Sequence, residues 1–420
     1  MAGKTISEKI LSTKSQRDAR AGDLVICAVD YAMATDGSAP MAIDYFTQMG
    51  GDHVFDPQRI VFVMDHYSSS AHQATLRLQQ KMREFARQHG IFVYEVGQGI
   101  SHQLMLENGR TRPGGLLVGA DSHSVTGGAL NAFATGVGSS DLAATMICGR
   151  IWLKVPQTIK VVLRGSLSTG VYAKDIALAL AERLGADGAA YQTLEFHGPA
   201  AAALEIDDRI VLSNLSVEMG AKAGIFPADA RTFAYLEEHT SESFEPVEPD
   251  ADASYVREIR LDVSGLGPLV ARPHAVDNVT PVAESSGTPI QMVYIGTCTG
   301  GRVRDFHQAL AILEAAGQVA SGVHLVVTPA SKEVETELQQ DGTLEKLRQL
   351  GATVTAPGCG SCCGTAGPIP ADGANVLSTA NRNFKARMGN AKASIYLASP
   401  AACAAAAVTG RITDPRKLMV

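Results

Sequence analysis

Short apolar runs rich in β-branched residues recur along the chain, and a polar side chain follows most of them. The runs predicted to form buried strands of parallel sheets are DLVICAVD (23–30), RIVFVMD (59–65), GLLVGAD (115–121), MVYIGTC (292–298), ATVTAPGC (352–359) and ASIYLASP (393–400). Between them, apolar residues repeat every three or four positions up to a glycine, which predicts helices. The clearest helices contain Leu78, Met82 and Phe85, then Ile176, Leu180 and Leu184, then Phe306, Leu310 and Leu313. This alternation predicts a doubly wound α/β architecture.

Two stretches interrupt the alternation. Residues 242–253 (ESFEPVEPDADA) are acidic and contain proline, and residues 274–289 (HAVDNVTPVAESSGTP) lack a helical period. We expect the second stretch to connect two domains. A chain of 420 residues is long enough for roughly two to four domains with separate cores. The alanine-rich stretch 401–407 predicts a tightly packed helix.

The charge balance excludes some functions. Lysine and arginine total 36 against 43 aspartates and glutamates, a formal net charge of -7, which is the wrong sign for a protein that binds nucleic acid by neutralising phosphates. No apolar run approaches the roughly 18 residues of a membrane span, and the N-terminus lacks the apolar core of a secretory signal. The sequence therefore predicts a cytoplasmic protein that binds neither nucleic acid nor membrane.

Candidate chemistry lies where the predicted strands end. Ligands bind at the carboxyl ends of the strands in open α/β sheets. The polar groups at these positions are Asp65 and His66, Asp121, Ser122 and His123, Cys298, Cys359, and Asn381, Arg382 and Asn383. Because five separate strands end in such groups, we predict one composite site.

The strongest single element is the pair Cys359 and Cys362 in PGCGSCCG, with Cys298 in GTCTGGR on another loop. An odd number of cysteines, seven, in a large chain without a secretory signal argues against a disulfide framework. Three thiolates suit a metal centre, and structural zinc normally needs four ligands. A cluster with three cysteine ligands would leave one iron open for Lewis-acid catalysis. A redox dithiol, or simply buried small residues, is the alternative interpretation of the CxxC spacing.

The other cysteines carry weaker expectations. Cys27, Cys148 and Cys403 lie in apolar surroundings and are interpreted as buried thiols. Cys363 is left open, because two adjacent cysteines allow either sulfur to occupy the second ligand position.

Three histidines have polar neighbours that could orient an imidazole. His66 and His123 each lie within two residues of an aspartate at a strand end, an arrangement suited to acid–base chemistry. His102 lies in GISHQ, where the local sequence does not separate a functional role from a structural one.

Further polar candidates lie in two later segments. Asn214 and Glu218 are four residues apart, and we expect them to share one helix face. Arg382 and Arg387 in STANRNFKARMGN indicate anion binding, because guanidinium groups pair bidentately with carboxylates. The alternatives are an exposed glutamate and a solvated basic patch.

Taken in order, these elements resemble the aconitase superfamily over the whole chain. The matching motifs are VMDH (63–66), GISHQ (99–103), GADSHS (119–124), TGVGSSD (135–141), WLKVP (152–156), NLSVEMGAKAGIFP (214–227), GTCTGGR (296–302), PGCGSC (357–362) and STANRNFKAR (378–387). Within the superfamily, the chain is most similar to the free-standing large subunits of 3-isopropylmalate dehydratase, homoaconitase and dimethylmaleate hydratase. The resemblance implies three doubly wound α/β/α domains (1–158, 159–285 and 286–420) around a central iron–sulfur cluster, without the swivelling fourth domain.

The resemblance also implies roles for individual residues. Cys298, Cys359 and Cys362 would hold a [4Fe-4S] cluster in which one iron has no protein ligand. The implied catalytic residues are Asp65, His66, His102, Asp121, His123 and Glu218, with Asp65 and His66 helping to protonate the departing hydroxyl and His102 paired with Glu218. The implied substrate-binding residues are Ser122, Asn214, Asn381, Arg382 and Arg387, with both asparagines beside the cluster.

A partner follows from the same resemblance. The family's general base is a serine of the swivelling domain, which this chain lacks, so a small subunit would complete the site in a heterodimer or heterotetramer. The implied reaction is dehydration and rehydration of a hydroxy di- or tricarboxylate, with 2-isopropylmalate, homocitrate and methylated malates as the candidate substrates. Gly300, Thr35 and Cys363 depart from the family pattern, and these departures bear on the substrate rather than the fold.

Two other functions remain open at this point. One is a cluster-sensing regulator that binds RNA after losing iron, which the acidic balance disfavours. The other is a redox electron carrier, in which the histidines, aspartates and arginines around the cysteines would have no purpose.

Overall fold

Parallel strands form three sheets in the computed structural model, which describes residues 3–68 and 72–419. The strands and helices of the first part are β1 (Leu24–Ala28), β2 (Tyr31–Thr35), β3 (Ile60–Val63), β4 (Phe92–Tyr94), β5 (Leu116–Gly119), β6 (Phe133–Gly136) and β7 (Arg150–Lys154), with α1 (Ile6–Ser15), α2 (Ala39–Gln48), α3 (Gln73–His89), α4 (Ser101–Glu107) and α5 (Ser139–Cys148). The order β4-β3-β2-β5-β6 is entirely parallel. The chain therefore winds outward in both directions from β2.

Strand β1 differs from its prediction. It pairs antiparallel with β7 in a separate two-stranded ribbon, and its residues alternate between exposed and buried. The predicted buried parallel strand at 23–30 is thus wrong. The run reads as buried on both faces because its outward residues Leu24 and Ile26 are apolar although they are exposed.

The second sheet is the smallest of the three. Its elements are β8 (Thr158–Arg164), β9 (Thr193–His197), β10 (Ala223–Ile225) and β11 (Arg257–Asp262), with α6 (Ala173–Leu184), α7 (Pro199–Ala203), α8 (Ile206–Leu215) and α9 (Ala230–His239). Its strands are parallel in the order β10-β9-β8-β11. The helix predicted around Ile176, Leu180 and Leu184 is α6, which ends at Leu184 and is capped by Gly185.

The third sheet has seven strands. Its elements are β12 (Leu269–Ala271), β13 (Val279–Pro281), β14 (Met292–Ile295), β15 (His324–Val327), β16 (Thr353–Val354), β17 (Asn375–Ser378) and β18 (Ser394–Leu397), with α10 (Val303–Ala316), α11 (Lys332–Gln340), α12 (Thr343–Gln349) and α13 (Pro400–Thr409). Five strands are parallel in the order β18-β17-β14-β15-β16, and β12 and β13 extend the sheet antiparallel. The predicted connector at 274–289 contains β13, so it belongs partly to this sheet.

These sheets confirm the α/β architecture predicted from the apolar runs. The domain limits 158/159 and 285/286 stay predictions; β12 and β13 precede residue 286 but join the third sheet. Helix α13 is packed through its buried alanines, as expected for the stretch 401–407. Within the described residues, no helix combines the length and the apolarity needed to cross a membrane.

Candidate active site

The carboxyl ends of the central strands of the first sheet bring three aspartates together. Asp36 follows β2, Asp65 follows β3, and Asp121 follows β5. Strands β3 and β5 lie on opposite sides of β2, so the chain changes direction here. A crevice opens at such a point in doubly wound sheets. The structure therefore places the predicted strand-end residues Asp65 and Asp121 at one edge of the sheet, and their role in a site stays a prediction.

Asp65 links three segments of the chain. Its Oδ1 lies 2.7 Å from Nδ1 of His66, and its Oδ2 accepts a 2.7 Å hydrogen bond from the backbone N–H of Ser101. Its carbonyl oxygen accepts from the backbone N–H of Cys359 at 3.1 Å. The side chain is fully buried. Asp65 thus fixes the His66 ring relative to the first turn of α4 and to the cysteine loop.

His66 lies between two carboxylates. Its Nδ1 contacts Asp65, and its Nε2 lies 3.4 Å from Oδ2 of Asp121. Burial disfavours a charged ring, but Cys359 and the two carboxylates raise the pKa of His66 well above its ordinary value. The backbone N–H of His66 is bound at 2.9 Å by Asp36, a residue that the sequence analysis did not select.

Asp121 is the centre of the polar network. Its Oδ1 lies 2.9 Å from Nε2 of His102 and accepts from the backbone N–H of His123 at 2.9 Å. Burial alone would raise the pKa of this carboxyl, but the surrounding histidines, with His102 contributing most, hold the pKa well below its ordinary value. Asp121 therefore stays ionised and fixes the His102 ring and the His123 backbone.

The second sheet contributes one carboxylate to the same network. Oε1 of Glu218 lies 2.8 Å from Nε2 of His123 and accepts a 2.7 Å hydrogen bond from Nε of Arg382. Burial acts to raise the pKa of Glu218, but these two partners lower it below its ordinary value. The expected pairing of His102 with Glu218 is wrong. His102 pairs with Asp121, and the histidine that pairs with Glu218 is His123.

The segment that carries Asn214 and Glu218 is not one continuous α-helix. Helix α8 ends at Leu215, and a 3-10 turn over Ser216–Met219 follows. The expected shared helix face is therefore wrong. Glu218 reaches the histidines, while Asn214 reaches a cysteine.

Cys298 follows β14 and receives two amide donors. Nδ2 of Asn214 and Nδ2 of Asn381 each lie 3.2 Å from its sulfur, and the two asparagines contact each other at 3.1 Å. Burial and the nearby Cys362 raise the pKa of Cys298 to about 12. These contacts support a role for both asparagines in holding the sulfur, while their predicted contact with substrate stays a prediction.

Cys359 caps the 3-10 turn Gly360–Cys363 and Cys362 lies within it, after the short strand β16. Nη2 of Arg387 donates to the sulfur of Cys362 at 3.4 Å, and the Cys359 sulfur lies 3.9 Å from Nδ1 of His66. Burial raises the pKa of Cys359 well above its ordinary value. Ligand-type atoms of Asp65, His66 and Cys359 all lie within 4.8 Å of one another.

The donor set around the thiols fits a metal centre. Amide and guanidinium N–H groups point at the sulfurs of Cys298 and Cys362, and such hydrogen bonds are strongest when the acceptor is anionic. Burial alone keeps a thiol neutral, whereas a coordinated metal deprotonates it. Three thiols with N–H donors suit an iron–sulfur cluster better than a structural zinc ion, which needs four ligands.

The remaining cysteines have other surroundings. Cys363 lies 2.7 Å from Oγ1 of Thr365 and donates to the carbonyl of His66 at 3.5 Å. Those contacts favour Cys362 as the second ligand of the CxxC pair. Cys27 and Cys403 are buried as expected, but Cys148 is exposed at the end of α5, so that expectation is wrong.

Lys174 is a buried cation that the sequence analysis missed. Its ammonium donates to Oγ1 of Thr299 at 3.0 Å and to the carbonyls of Thr379 and Ala380 at 2.7 and 2.9 Å. It forms no ion pair with any described residue, and burial lowers its pKa to about 8. Lys174 thus ties α6 to the loops that carry Cys298 and Asn381. Its signal in the sequence was a lysine, next to Asp175, at the start of the apolar helix AKDIALAL.

Gly300 also packs against this region. A Cβ atom built on Gly300 would lie 2.3 Å from Cβ of Thr379. Thr379 binds the backbone of Gly296 through its hydroxyl and Lys174 through its carbonyl. A side chain at position 300 would therefore have to displace a residue that holds two neighbouring segments.

Comparisons with known proteins place this geometry in context. The model of the Aconitase family (aconitate hydratase) matches residues 8–289 and 283–410. The 3-isopropylmalate dehydratase large subunit 1 of Thermotoga maritima is 48% identical over 99% of this chain and 100% of its own length. The protein of the same name from Methanopyrus kandleri is 45% identical over 99% of both chains. A probable methanogen homoaconitase large subunit from Methanosarcina mazei is 45% identical over 94% of this chain and all of its own.

A solved structure supports the fold. The crystal structure of Thermococcus kodakaraensis aconitase X in its holo-form matches with a TM-score of 0.51, covering 89% of this chain and 88% of the other. The sequence identity is 12%, so this similarity concerns the arrangement of the sheets alone.

Proposed function

The chain belongs to the aconitase family, and from this premise we propose that it is the large subunit of a hydro-lyase of the 3-isopropylmalate dehydratase type. The reaction would convert 2-isopropylmalate into 3-isopropylmalate through loss and re-addition of water, with isopropylmaleate between them. The observation that carries this proposal is the contact between the imidazole–carboxylate network and the cysteine loop, through His66 and Cys359. A site of this composition suits removal of a hydroxyl beside a carboxylate.

The family implies a [4Fe-4S] cluster, and we propose Cys298, Cys359 and Cys362 as its ligands. When bound, the cluster with one open iron would act as a Lewis acid for the hydroxyl that leaves. Asn214, Asn381 and Arg387 would donate to the thiolates and hold their positions.

Proton transfer would run through His66. Its Nδ1 faces Asp65 and its Nε2 faces Asp121, so the ring favours the protonated state. Departure of hydroxide is unfavourable at neutral pH, and a proton from His66 Nε2 would convert it to water. Once Nε2 has given up its proton it no longer donates to Asp121, while Nδ1 still donates to Asp65. Asp65, which is fully buried, would keep the ring from rotating away.

Substrate carboxylates would be bound by the cationic edge of the site. Ser122, Arg382 and Arg387 supply hydroxyl and guanidinium donors, which match the geometry of carboxylates. Glu218 accepts a hydrogen bond from Nε of Arg382 and so fixes the orientation of the guanidinium group. His102 and His123 would stabilise the charge that develops during dehydration, because each is held by a carboxylate.

A small subunit would complete the site. The relatives are named large subunits, which supports a partner chain. We propose that this partner carries the swivelling domain with the serine base and a substrate-reading arginine, in a heterodimer or heterotetramer.

An anaerobic assay tests the proposal. The chain is reconstituted with iron and sulfide, mixed with the small subunit encoded in the same genome, and the alkene absorbance is followed with 2-isopropylmalate, homocitrate, citrate and dimethylmalate. Turnover of isopropylmalate only when both subunits are present supports the proposal. Turnover of homocitrate alone would move the function to homoaconitase, and cluster formation without turnover of any substrate would overturn the proposed reaction.

A further inference from the structure

The β1–β7 ribbon exposes an apolar face. Ile26 pairs with Trp152 and Leu24 with Lys154, and these side chains point away from the core. Leu24 is 65% exposed, Ile26 61% and Trp152 63%. Large apolar side chains clustered in this way mark interaction sites, because leaving them in water is costly. An uncovered two-stranded ribbon is also a liability that proteins normally cover or charge.

Trp152 separates two concave surfaces. One cavity of about 510 Å³ runs from Trp152 past Tyr191 and Lys222 to Ser122, and the other, of about 570 Å³, lies between Trp152 and Leu24. Ser122 follows Asp121, the centre of the polar network. The apolar ribbon face is therefore continuous with the substrate-facing edge of the candidate active site.

The charges at this face favour an acidic partner. Arg150 and Lys154 flank Trp152 on the outer side of β7, and Lys222 lines the cavity together with one carboxylate, Asp141. None of these three cations forms an ion pair within residues 3–68 and 72–419, although the chain as a whole carries a net charge of -7. A second copy of this chain would bring the same cations against one another. A partner with carboxylates around an apolar segment would pair them instead.

We infer that the ribbon face, formed by Leu24, Ile26, Trp152 and Tyr191 with Lys154 and Lys222 at its rim, is the docking surface for the small subunit. This inference rests on the proposed function, which requires a second chain that reaches the substrate. Trp152 would enter an apolar pocket of the partner, as tryptophans at the centre of interfaces do. The cavity that leads from Trp152 to Ser122 would then admit the partner's base-carrying segment.

Trp152 is the single tryptophan of the chain and therefore reports directly on this face. The chain is labelled with 5-fluorotryptophan, reconstituted with its cluster, and titrated with the small subunit while the ¹⁹F signal is recorded. We expect the signal to shift and to lose its sensitivity to solvent isotope as the complex saturates. An unchanged signal in a saturated complex overturns the inference.

Substitutions test the surface independently. Ile26→Glu and Leu24→Glu place carboxylates on the exposed face and should weaken small-subunit binding by about tenfold or more, with the cluster absorbance unchanged. The control is Phe92→Glu, since Phe92 is 48% exposed on β4, at the opposite edge of the sheet from β6. Equal weakening by Phe92→Glu, or tight binding by the ribbon variants, contradicts the proposed surface.

The outcomes separate the inference from the proposed function. If the unaltered chain binds the small subunit and turns over substrate while the ribbon variants bind equally well, only the docking surface is wrong. If the unaltered chain is fully active without a small subunit, the proposed partner is wrong, and so is the inference about its docking surface. Sedimentation of the chain alone identifies a third outcome, in which Ile26→Glu dissociates a homodimer and the occupant is a second copy.

Discussion

Nε2 of His123 lies 2.8 Å from Oε1 of Glu218, although 95 positions separate the two residues in the chain. His123 follows strand β5 of the first sheet, and Glu218 lies in the turn before strand β10 of the second, so the network closes only when the two sheets pack together. The same glutamate oxygen holds Arg382 of the third sheet. One carboxylate thus joins residues from all three sheets.

We expect Glu218→Gln to lower kcat/KM by about 100-fold, because a neutral amide cannot hold both His123 and Arg382 through one anionic oxygen. Steady-state kinetics with the small subunit present measures this, and iron content shows whether the cluster is intact. The control is Glu182→Gln on the exposed side of α6. A loss of activity below about threefold would contradict the assigned role.

The cysteine assignment can be tested within one loop. Cys359→Ala should abolish the visible absorbance of the cluster and the activity together, because the proposed cluster would lose one of its three ligands. Cys363→Ala is the matched control, since Cys363 contacts Thr365 and the His66 carbonyl. We expect Cys363→Ala to keep its iron and sulfide content. Hydratase activity retained by Cys359→Ala would remove the mechanism.

Lys174→Met should destabilise the cluster. The variant removes the donor that Thr299, Thr379 and Ala380 share. The Thr379 carbonyl still accepts from Thr299, so the main cost is about 1–3 kcal/mol for the buried Ala380 carbonyl. The variant also removes a buried cation close to the cysteine loops, so the midpoint potential of the cluster should fall. The measurements are the rate of absorbance loss in air and a redox titration. Lys174→Arg keeps the charge and should preserve the potential; equal potentials in Lys174→Met and the unaltered chain would leave Lys174 a purely structural residue.

Much of this fold could be predicted from the sequence. Runs such as IVFVM (60–64) are apolar without alternation because parallel strands are buried on both faces. The polar residues at the ends of such runs identified Asp65, His66 and Cys298. The run 23–30 has the same composition but forms the ribbon. Its exposed residues Leu24 and Ile26 are as apolar as buried ones. The sequence therefore does not distinguish this ribbon strand from a buried parallel strand.

The partners within the site were less predictable. Pairing of His123 with Glu218 depends on how two sheets dock, which local spacing does not encode. Lys174 was missed because a lysine in a helix ordinarily extends to solvent, and its burial follows from the loops that pack around it. Asp36 was overlooked, although it follows strand β2 just as Asp65 follows β3. Its carboxylate accepts a hydrogen bond from the backbone N–H of His66.

The raised pKa of Glu107 makes the free energy of unfolding depend on pH. Its Oε1 accepts from Gln103 at 2.8 Å and from Ser331 at 2.7 Å. Burial is the largest effect on its pKa and raises it to about 7, while Ser331 and Gln103 lower it; Glu333 raises it and His239 lowers it to smaller extents. A carboxyl with a raised pKa in the folded state binds its proton more tightly there than in the unfolded chain. Its contribution to stability is therefore complete below about pH 4.5 and is lost as the pH rises through about 7.

Glu107→Gln should remove this loss, because the amide stays neutral at every pH. Between about pH 4.5 and pH 8, the free energy of unfolding of the variant should fall less than that of the unaltered chain, by on the order of 3 kcal/mol. Denaturant titrations at a series of pH values measure the difference. Glu182→Gln changes an exposed carboxylate of α6 and should leave the pH profile as it is. Parallel profiles for Glu107→Gln and the unaltered chain would show that Glu107 is ionised in the folded protein at neutral pH.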